Sequence, residues 1–527
     1  MVNQNVVKEL TKQGCMVDRD AAEILEKDDI QRIKELDVTP MYISSDMVER
    51  LRESNNQEGS SAEEVEKEVE TSSGQMLKKV EKSSEKETNS EGSSIDDDYD
   101  YGETGKKFST DKTVEIRDNR DRKELNTKVE LLDNEEISRE EKDVPEFLQY
   151  YNDRYDKMKK LLLRRREMKS ATTINRLERR DEGEDATTVG LVKDKYSTQS
   201  GKWIVEIEDN TGTFKVLASE DEGEMMVQDE VIGVRGNMGG DIIYANSIIR
   251  PDLPIPQGVK TTQDQVRAAY ISDLHLGSED TLTKRFNRFG DWLNTEAASD
   301  IGYLVITGDI VEGVGTYPGQ EDELEVTDIY KQYQLFEDWV EEKVPDDLQV
   351  IVGPGNHDIV RLAEPQPVLP EKALPNISDY NNVHMVQNPQ SLRLHGIRSQ
   401  GINHLMYHGY SFDDHADSIQ NLRERAYEEP HHVMIDLLKR RHLAPTYGSN
   451  LLSPEETDRL VINHKPDVMV SGHFHSHSNE SYKGVNVICS STFQAQTDFQ
   501  KRVGHEPDPG KVTIVDFKTR NTEVKQF

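Results

Sequence analysis

The chain has 527 residues, of which 34% are hydrophobic and 31% are charged, and its formal net charge is −36. This length predicts two or more domains, and the polar composition predicts that part of the chain is disordered. The sequence has no apolar run long enough to cross a membrane and no signal-peptide core, so we expect neither a membrane span nor secretion. Its two cysteines, Cys15 and Cys489, belong to no CxxC pair, which fits a reducing cytoplasm.

The acidic charge restricts how the chain can act on nucleic acid. A surface of this sign repels phosphate backbones, and nucleic-acid binding normally depends on Lys and Arg. If the substrate is DNA, then bound metal ions, local basic patches or a partner chain must offset the repulsion. A simple role in solubility explains the charge equally well.

The N-terminal region divides into two segments. In residues 1–52, apolar residues recur at nearly helical spacing, which predicts a small helical domain. Residues 53–145 are rich in Glu, Ser, Lys and Asp and cannot bury enough apolar surface to offset the entropy lost on ordering. We therefore expect a disordered acidic linker there, with an acidic docking tail for a basic partner as the alternative.

A basic amphipathic helix is predicted over residues 146–185. An apolar stripe runs from Phe147 to Leu162, and eleven basic residues stand against three acidic ones between Arg154 and Arg180. Such a local positive charge could contact phosphate groups, or it could be a solvated helix face. The sequence leaves both interpretations open.

Residues 186–255 resemble a small β-barrel in their pattern. Five short stretches with strand-like alternation are separated by turn signals, which suits a barrel of the OB type. Such barrels often bind single strands through aromatic and basic side chains. The candidates here are Trp203, Phe214 and Lys215, and Trp203 fits the barrel core better, so we favour a structural or interface role.

Residues 266–527 alternate apolar strands with amphipathic helices. Nearly continuous apolar strands that end in polar loops predict an α/β fold whose sheet is covered on both faces. One basic stretch in this region, residues 435–448, suits either an interface or DNA-contact element or an ordinary helix and loop.

Chemically active side chains follow five of these predicted strands directly. They are Asp273 and His275, Asp309, Asn356 with His357 and Asp358, His408, and His473 with His475. Ligands in open α/β sheets collect at the carboxyl ends of strands, so we expect these clusters to converge on one crevice. One Asp-x-His or His-x-His pair is weak evidence, but five clusters in order, each at a strand end, do not arise from packing alone.

The residue types predict a two-metal phosphoesterase site. Carboxylate and amide oxygens combined with imidazoles suit Mn²⁺, Fe²⁺ or Zn²⁺. Mn²⁺ is the ion we expect first, with Fe²⁺, Zn²⁺ or Mg²⁺ as alternatives. We assign Asp309 as the bridging carboxylate, Asp273, His275 and His475 to one ion, and Asn356, His408 and His473 to the other. Two such ions clamp a phosphodiester and activate a water molecule.

Two neighbours of Asn356 have predicted catalytic roles. His357 follows a metal ligand directly, and its free imidazole could protonate the leaving oxygen as a general acid. Asp358 could orient that imidazole through a hydrogen bond.

The motif series DLH, GDIVEG, GNHD, HG and GHFH resembles the signature of the calcineurin-like metallophosphoesterases over roughly residues 266–500. All seven ligand positions of that signature are filled. The resemblance implies a two-sheet metallophosphoesterase domain that hydrolyses phosphoesters, but it does not choose a substrate.

The segments around the motifs narrow the resemblance. TYPGQEDEL, NHDIVRLAEPQPVLP, YHGYSFDD and FQAQTDFQKRVGHEPDPGKVTIVDF are similar to segments in the small subunits of archaeal D-family DNA polymerases. This resemblance implies a 3′–5′ proofreading exonuclease that acts on the 3′ end of a DNA primer together with a large catalytic polymerase subunit. A contact of the C-terminal tail with a sliding clamp stays open.

Two other functions are weighed against this one. A stand-alone metallophosphatase or phosphodiesterase is disfavoured by the barrel that precedes the metal motifs. A non-catalytic scaffold subunit is disfavoured by the intact ligand set, because packing alone would not require seven such side chains.

Overall fold

A computed structural model describes residues 16–17, 42–43, 125–132, 135–137, 144–316, 320–396, 401–448, 450–453 and 455–527. The chain divides into two compact units, Met1–Thr113 and Val114–Phe527. In the first unit, strands β1 (Met16–Val17) and β2 (Tyr42–Ile43) pair in parallel. The predicted N-terminal helices and most of the predicted linker lie outside the described residues.

The end of the predicted linker is corrected by a short edge strand. Strand β3 (Val129–Leu131) pairs antiparallel with residues 392–394, inside the segment 53–145 that we expected to be disordered. Val129 and Leu131 also pack against the apolar core. A strand of three residues depends on its partner strand for stability, so the local composition did not reveal it.

The predicted helix over residues 146–185 is wrong beyond its first half. Helix α1 (Val144–Leu163) is followed by a 3₁₀ turn (Arg166–Met168) and a short helix α2 (Ile174–Leu177). The backbone N–H of Thr172 donates to Thr187 O at 2.9 Å, so the chain here pairs with the next strand instead of continuing the helix. The β-branched pair Thr172-Thr173 favours this extended conformation.

A closed five-stranded barrel follows α2. Its elements are β4 (Asp185–Ser197), β5 (Trp203–Asp209), β6 (Gly212–Ala218), α3 (Glu220–Glu224), β7 (Val231–Met238) and β8 (Ile242–Ile249). The strand order around the barrel is β4-β5-β6-β8-β7, and β6 and β8 pair in parallel. The five predicted strands are therefore confirmed, and Trp203 packs against the barrel core as expected.

Two six-stranded sheets form the remainder of the described chain. The strands are β9 (Arg267–Ile271), β10 (Ile301–Thr307), β11 (Gln349–Gly353), β12 (Val383–Met385), β13 (Gln390–Leu394), β14 (Ile402–Met406), β15 (Val468–Ser471), β16 (Ser478–Tyr482), β17 (Val485–Cys489), β18 (Lys511–Asp516) and β19 (Thr522–Gln526). The first sheet has the order β12-β11-β10-β9-β18-β19, and the second has the order β16-β17-β15-β14-β13-β3.

Six helices accompany the two sheets in the described part of the chain. They are α4 (Thr283–Leu293), α5 (Ile329–Lys343), α6 (Phe412–Asp417), α7 (Gln420–Arg423), α8 (His431–Arg440) and α9 (Asp498–Val503), with 3₁₀ turns at Glu296–Ala298, Gln320–Glu323 and Glu371–Ala373. Side chains from both sheets, among them Tyr270, Tyr303, Met406 and Val470, form one buried cluster, so the sheets pack face to face. Helices α4 and α5 cover the first sheet, and α6 to α8 cover the second. The predicted α/β class is confirmed.

Helix α1 joins the barrel to the two-sheet domain. Its Tyr155 and Leu162 pack against Val189 of the barrel and against Val461. Arg154, only 1% exposed, donates from Nε to Asp458 Oδ2 at 2.7 Å. Part of the basic charge on this helix therefore stabilises an internal contact.

The basic stretch 435–448 is also largely internal. Arg440 is buried and forms ion pairs with Asp436 and with Glu230 of the barrel. Arg441 is buried as well and donates to the carbonyl of Ile462. These two arginines stabilise the fold and are not exposed to phosphate groups. Among the described residues, no helix has the length and apolarity required to cross a bilayer.

Candidate metal centre

The seven predicted ligands converge where the two sheets meet. Asp273, Asp309 and Asn356 follow β9, β10 and β11 of the first sheet, whereas His408 and His473 follow β14 and β15 of the second. His275 and His475 each stand two residues after another ligand. Strands β9, β10 and β11 are parallel to one another, as are β14 and β15, which aligns their carboxyl ends. The expected convergence on one crevice is therefore what the fold produces.

One group of ligand atoms surrounds Asp273. Nε2 of His275 and Nε2 of His475 face each other at 3.0 Å. Asp273 Oδ1 lies 3.5 Å from Nε2 of His475 and 4.0 Å from Nε2 of His275. These three side chains belong to one buried group that could hold a metal ion.

A second group surrounds Asn356. Its Oδ1 lies 2.9 Å from Nε2 of His408 and 3.1 Å from Nδ1 of His473. Asp309 lies between the two groups, because its Oδ2 is 3.3 Å from Nε2 of His408 and 3.8 Å from Nε2 of His275. One carboxylate oxygen is thus within ligand spacing of both groups.

These spacings suit divalent metal ions. Two ligands bonded at about 2.1 Å to one ion are about 3 Å apart when the bonds meet at right angles, and about 4 Å apart at wide angles. The observed separations within the two groups fall between 2.9 and 4.0 Å. Carboxylates, an amide oxygen and imidazoles together form a donor set for such ions. The buried cluster is compatible with divalent metal binding.

Five of the seven candidate ligands adopt backbone conformations that residues with side chains rarely take. Their φ angles are positive: Asp273 (54°), His275 (47°), Asp309 (49°), His473 (72°) and His475 (57°). Each such residue costs about 1–3 kcal/mol and persists only where the surrounding structure holds it, most often at functional sites. The sharp turns at the strand ends aim the side chains into the cluster.

Two glycines allow the turns to approach one another. A Cβ on Gly355 would lie 2.2 Å from Asp309 Oδ1, and a Cβ on Gly472 would lie 2.2 Å from Asp273 Oδ2. Any larger residue at either position would displace a ligand carboxylate. The glycines before Asn356 and His473 are therefore part of the site.

Three of the four candidate histidine ligands have an acceptor on the ring nitrogen that faces away from the cluster. Nδ1 of His275 donates to Glu312 Oε2 at 2.8 Å, and Nδ1 of His408 donates to the Thr307 carbonyl at 2.8 Å. His473 uses the opposite edge, so its Nε2 donates to Asp413 Oδ2 at 2.9 Å. These bonds fix the ring orientations and leave a lone pair for a metal.

Glu312 and Asp413 were not among the predicted site residues. Glu312 lies 37 residues from His275, and Asp413 lies 60 residues from His473. Each acidic residue closely follows a strand-end ligand, Asp309 and His408 respectively, and that proximity is the only signal in the sequence. The fourth histidine, His475, has the Gln500 amide nitrogen 2.9 Å from its Nδ1.

The carboxylates control the charge of the buried imidazoles. Burial disfavours the charged form of His275, but Glu312, Asp309 and Asp273 outweigh burial and raise its pKa to about 9. Burial likewise lowers the pKa of His408, but the Asp309 carboxylate outweighs burial and raises that pKa to about 10. In turn, burial would raise the pKa of Glu312, but the nearby His275 lowers it to about 2.

His357 and Asp358 make different contacts from those expected. Nδ1 of His357 donates to the Glu312 carbonyl at 2.8 Å. The Asp358 carboxylate accepts from Gly355 N at 2.8 Å and from Tyr333 OH at 2.9 Å. The expectation that Asp358 orients the His357 ring is therefore wrong, because Asp358 is turned toward the loop backbone. Asp358 stabilises the turn that carries Asn356.

The ligands open into a cavity of about 830 Å³. Its lining includes the candidate site residues His275, Asp309, Asn356, His357, His473 and His475, together with Phe499, Gln500, Arg502 and Val503 of α9. His357 is thus placed at the surface of the same space as the metal ligands. The sequence patterns did not single out these residues of α9 as part of a site.

Comparison with known proteins assigns the chain to a family. Residues 268–480 match the family model that describes the B subunits of DNA polymerases alpha and epsilon. The chain is 37% identical to the DNA polymerase II small subunit of Methanothermobacter thermautotrophicus over 393 residues, which cover 71% of this chain and 78% of the relative. It is 35% identical to the DNA polymerase II small subunit of Methanocaldococcus jannaschii over 415 residues, which cover 75% of this chain and 68% of the relative. The chain belongs to the family of DNA polymerase II small subunits.

Membership of this family confirms the resemblance to the small subunits of archaeal DNA polymerases that the segments around the motifs indicated. This chain also resembles a solved structure described as "Structural and Functional Characterization of a Novel Archaeal Phosphodiesterase". The alignment covers 50% of this chain and 100% of that chain, at 14% identity and a TM-score of 0.24. That likeness is too low to support an inference about activity.

Proposed function

We propose that this chain carries a two-metal 3′–5′ exonuclease and acts as the small subunit of a two-subunit DNA polymerase. The observation that carries the activity is the position of Asp309, whose Oδ2 lies 3.3 Å from Nε2 of His408 and 3.8 Å from Nε2 of His275. A carboxylate between two ligand groups is what a two-ion phosphodiesterase requires.

The residues divide between two ion positions. Asp273, His275 and His475 would hold one ion, Asn356, His408 and His473 would hold the other, and Asp309 would contact both. When bound, two divalent ions, with Mn²⁺ the first choice, neutralise charge on a phosphodiester and acidify a water molecule. Glu312 and Asp413 keep the imidazoles oriented for this role through their bonds to His275 and His473.

His357 is the proton donor in this proposal. Its Nδ1 is engaged by the Glu312 carbonyl, which orients the ring and leaves Nε2 for the oxygen that departs from phosphorus. A positioned general acid of this kind accelerates a reaction by about 10²–10⁴-fold. His357 lines the cavity beside the candidate ligands, where it would protonate the 3′ oxygen of the shortened strand as the terminal nucleotide leaves with its phosphate.

The charge of the chain supports a role within a larger assembly. The net charge is −36, and two arginines of the basic segments, Arg154 and Arg440, are buried in ion pairs. Family membership implies a large catalytic polymerase subunit as partner. We infer that this partner presents the 3′ end of the DNA to the site, because long-range attraction from this chain is weak.

The barrel and the domain boundaries complete the proposal. Strand order β4-β5-β6-β8-β7, with α3 between the third and fourth strands, supports a barrel of the OB type. We propose a barrel over residues 186–255 and a calcineurin-like phosphoesterase domain over residues 266–527. Helix α1 forms a connecting element, and a helical domain over residues 1–52 stays a prediction.

The activity can be tested with a labelled primer. The purified chain and its complex with the large subunit are each incubated with Mn²⁺ and a 5′-labelled primer that ends in a 3′ mismatch. We expect a ladder of products shortened one nucleotide at a time from the 3′ end, and no ladder with Asp309→Asn. Hydrolysis of a simple phosphate monoester without any ladder would instead indicate a phosphatase.

A further inference from the structure

One wall of the catalytic cavity contains apolar side chains that have no role in metal binding. Phe499 and Val503 of α9 are 57% and 47% exposed, and both line the cavity of about 830 Å³ that holds Asp309 and His473. Large apolar side chains left exposed beside a binding site usually have a ligand to cover them. The α9 wall, defined as residues 499–503, is therefore a candidate substrate contact.

The α9 wall is held in a defined position relative to the metal ligands. Thr497 and Gln500 form a capping box at the start of the helix, and the Gln500 amide nitrogen lies 2.9 Å from His475 Nδ1. Just beyond the helix, the ring of His505 stacks on Tyr427 with 3.5 Å between ring centroids. The hydroxyl of Tyr427 donates to Asp413, which in turn holds His473.

The size of the cavity indicates a ligand larger than a phosphate group. A volume of about 830 Å³ falls in the range that typically encloses an organic molecule. The acidic groups that line it are Asp309, Glu312, Glu323 and Asp413, and Arg502 is the only Lys or Arg among the described lining residues. The α9 wall thus combines an aromatic ring with the one cavity-lining guanidinium, a pairing that suits a base and its phosphate.

We propose that Phe499 is a stacking platform for a base at the 3′ end of the DNA strand, so that the site selects an end whose terminal bases are unpaired. The inference rests on the proposed exonuclease activity and names the form of substrate that the activity takes. A base inside a duplex is already stacked on its neighbour and hydrogen-bonded to its partner. We expect Phe499 to stack on a terminal base that has separated from its partner, because mispaired bases separate at the lowest cost.

Stacking on one aromatic side chain changes the affinity for a base about 5- to 100-fold. The experiment compares the wild-type complex with Phe499→Ala on two labelled single-stranded oligonucleotides with Mn²⁺. One carries normal nucleotides, and the other has abasic sugars at its last two 3′ positions. We expect wild type to prefer the normal strand by about 10-fold in kcat/KM, and Phe499→Ala to lose that preference, whereas Phe499→Trp restores it.

A control removes an exposed aromatic ring outside the cavity. Tyr330 is 42% exposed and lies on α5, and Tyr330→Ala should keep the wild-type preference. Phe499→Ala should also reduce the ratio of rates on mismatched and matched primer ends.

The possible results separate the two proposals. If Phe499→Ala keeps the 10-fold preference for bases, or lowers the rates on both strands equally, the stacking platform is wrong while the exonuclease stands. If wild type hydrolyses neither strand, the exonuclease itself fails.

Discussion

Asp413 Oδ2 lies 2.9 Å from Nε2 of His473, on the side of the ring opposite to Asn356. The carboxylate therefore sets which edge of the imidazole faces the candidate metal centre, and it does so from the first turn of helix α6, 60 residues away in sequence. Loss of such a partner typically lowers metal affinity 10- to 100-fold.

Asp413→Ala should therefore weaken Mn²⁺ binding by about 10- to 100-fold while the protein stays folded. Isothermal titration calorimetry measures the affinity, and circular dichroism checks the fold. Tyr427→Phe is the matched control, because it removes one donor to Asp413 and leaves the bond to His473 in place. Unchanged Mn²⁺ affinity in Asp413→Ala would show that Asn356 and the backbone alone orient His473.

His357→Gln should retain bound metal and lose turnover by about 10²–10⁴-fold, because it removes the proton donor and no ligand. The loss should be much smaller on a 4-nitrophenyl phosphodiester, whose leaving group departs without protonation. Metal content is measured by mass spectrometry beside the two rates. Loss of bound metal, or equal slowing of both substrates, would contradict the role as general acid.

Metal binding should release protons and strengthen with pH. In the metal-free protein, pKa values of about 9 for His275 and about 10 for His408 keep both rings protonated at pH 7. A metal needs the unprotonated Nε2 atoms, so Mn²⁺ affinity should fall as the pH decreases below 9, by up to about 100-fold per unit when two protons leave.

Calorimetry in two buffers of different ionisation enthalpy counts the released protons. Glu312→Gln removes the main carboxylate that raises the pKa of His275, so its affinity should depend less steeply on pH. An affinity that stays constant between pH 6 and pH 9 in the wild-type protein would contradict the charge assignment.

Arg154→Met should lower the free energy of unfolding by about 3–5 kcal/mol, because it leaves the buried Asp458 carboxylate without its arginine. The control is Arg164→Met, because Arg164 is exposed and lies one residue beyond the end of α1. This substitution should change the free energy of unfolding by less than about 0.5 kcal/mol. Urea denaturation measures both. Similar effects from the two substitutions would mean that the α1 contact contributes little.

The sequence predicted that the seven candidate ligands would come together because each one lies within four residues of the end of an apolar strand, which is a local pattern. Asp273, Asp309 and His473 are examples, each two residues beyond a strand end. The orienting residues Glu312 and Asp413 were missed because their roles come from tertiary contacts with histidines 37 and 60 residues away in sequence. Asp358 was misassigned for the same reason: adjacency to His357 in sequence does not turn the two side chains toward each other.

Fold prediction failed where an element depends on distant partners. Strand β3 is three residues long, lies in a charged region and exists through its pairing with residues 392–394. Helix α1 ends at Leu163, and the backbone of Thr172 then pairs with the barrel at Thr187, a contact that local sequence does not reveal. The barrel strands were predicted well, since alternation and turn residues are local signals.

Anomalous diffraction from crystals containing Mn²⁺ tests the two-metal centre most directly. We expect two peaks about 3.5–4 Å apart, with Asp309 in contact with both, Asp273, His275 and His475 around one, and Asn356, His408 and His473 around the other. A single peak, or a pair that Asp309 does not bridge, would contradict the account.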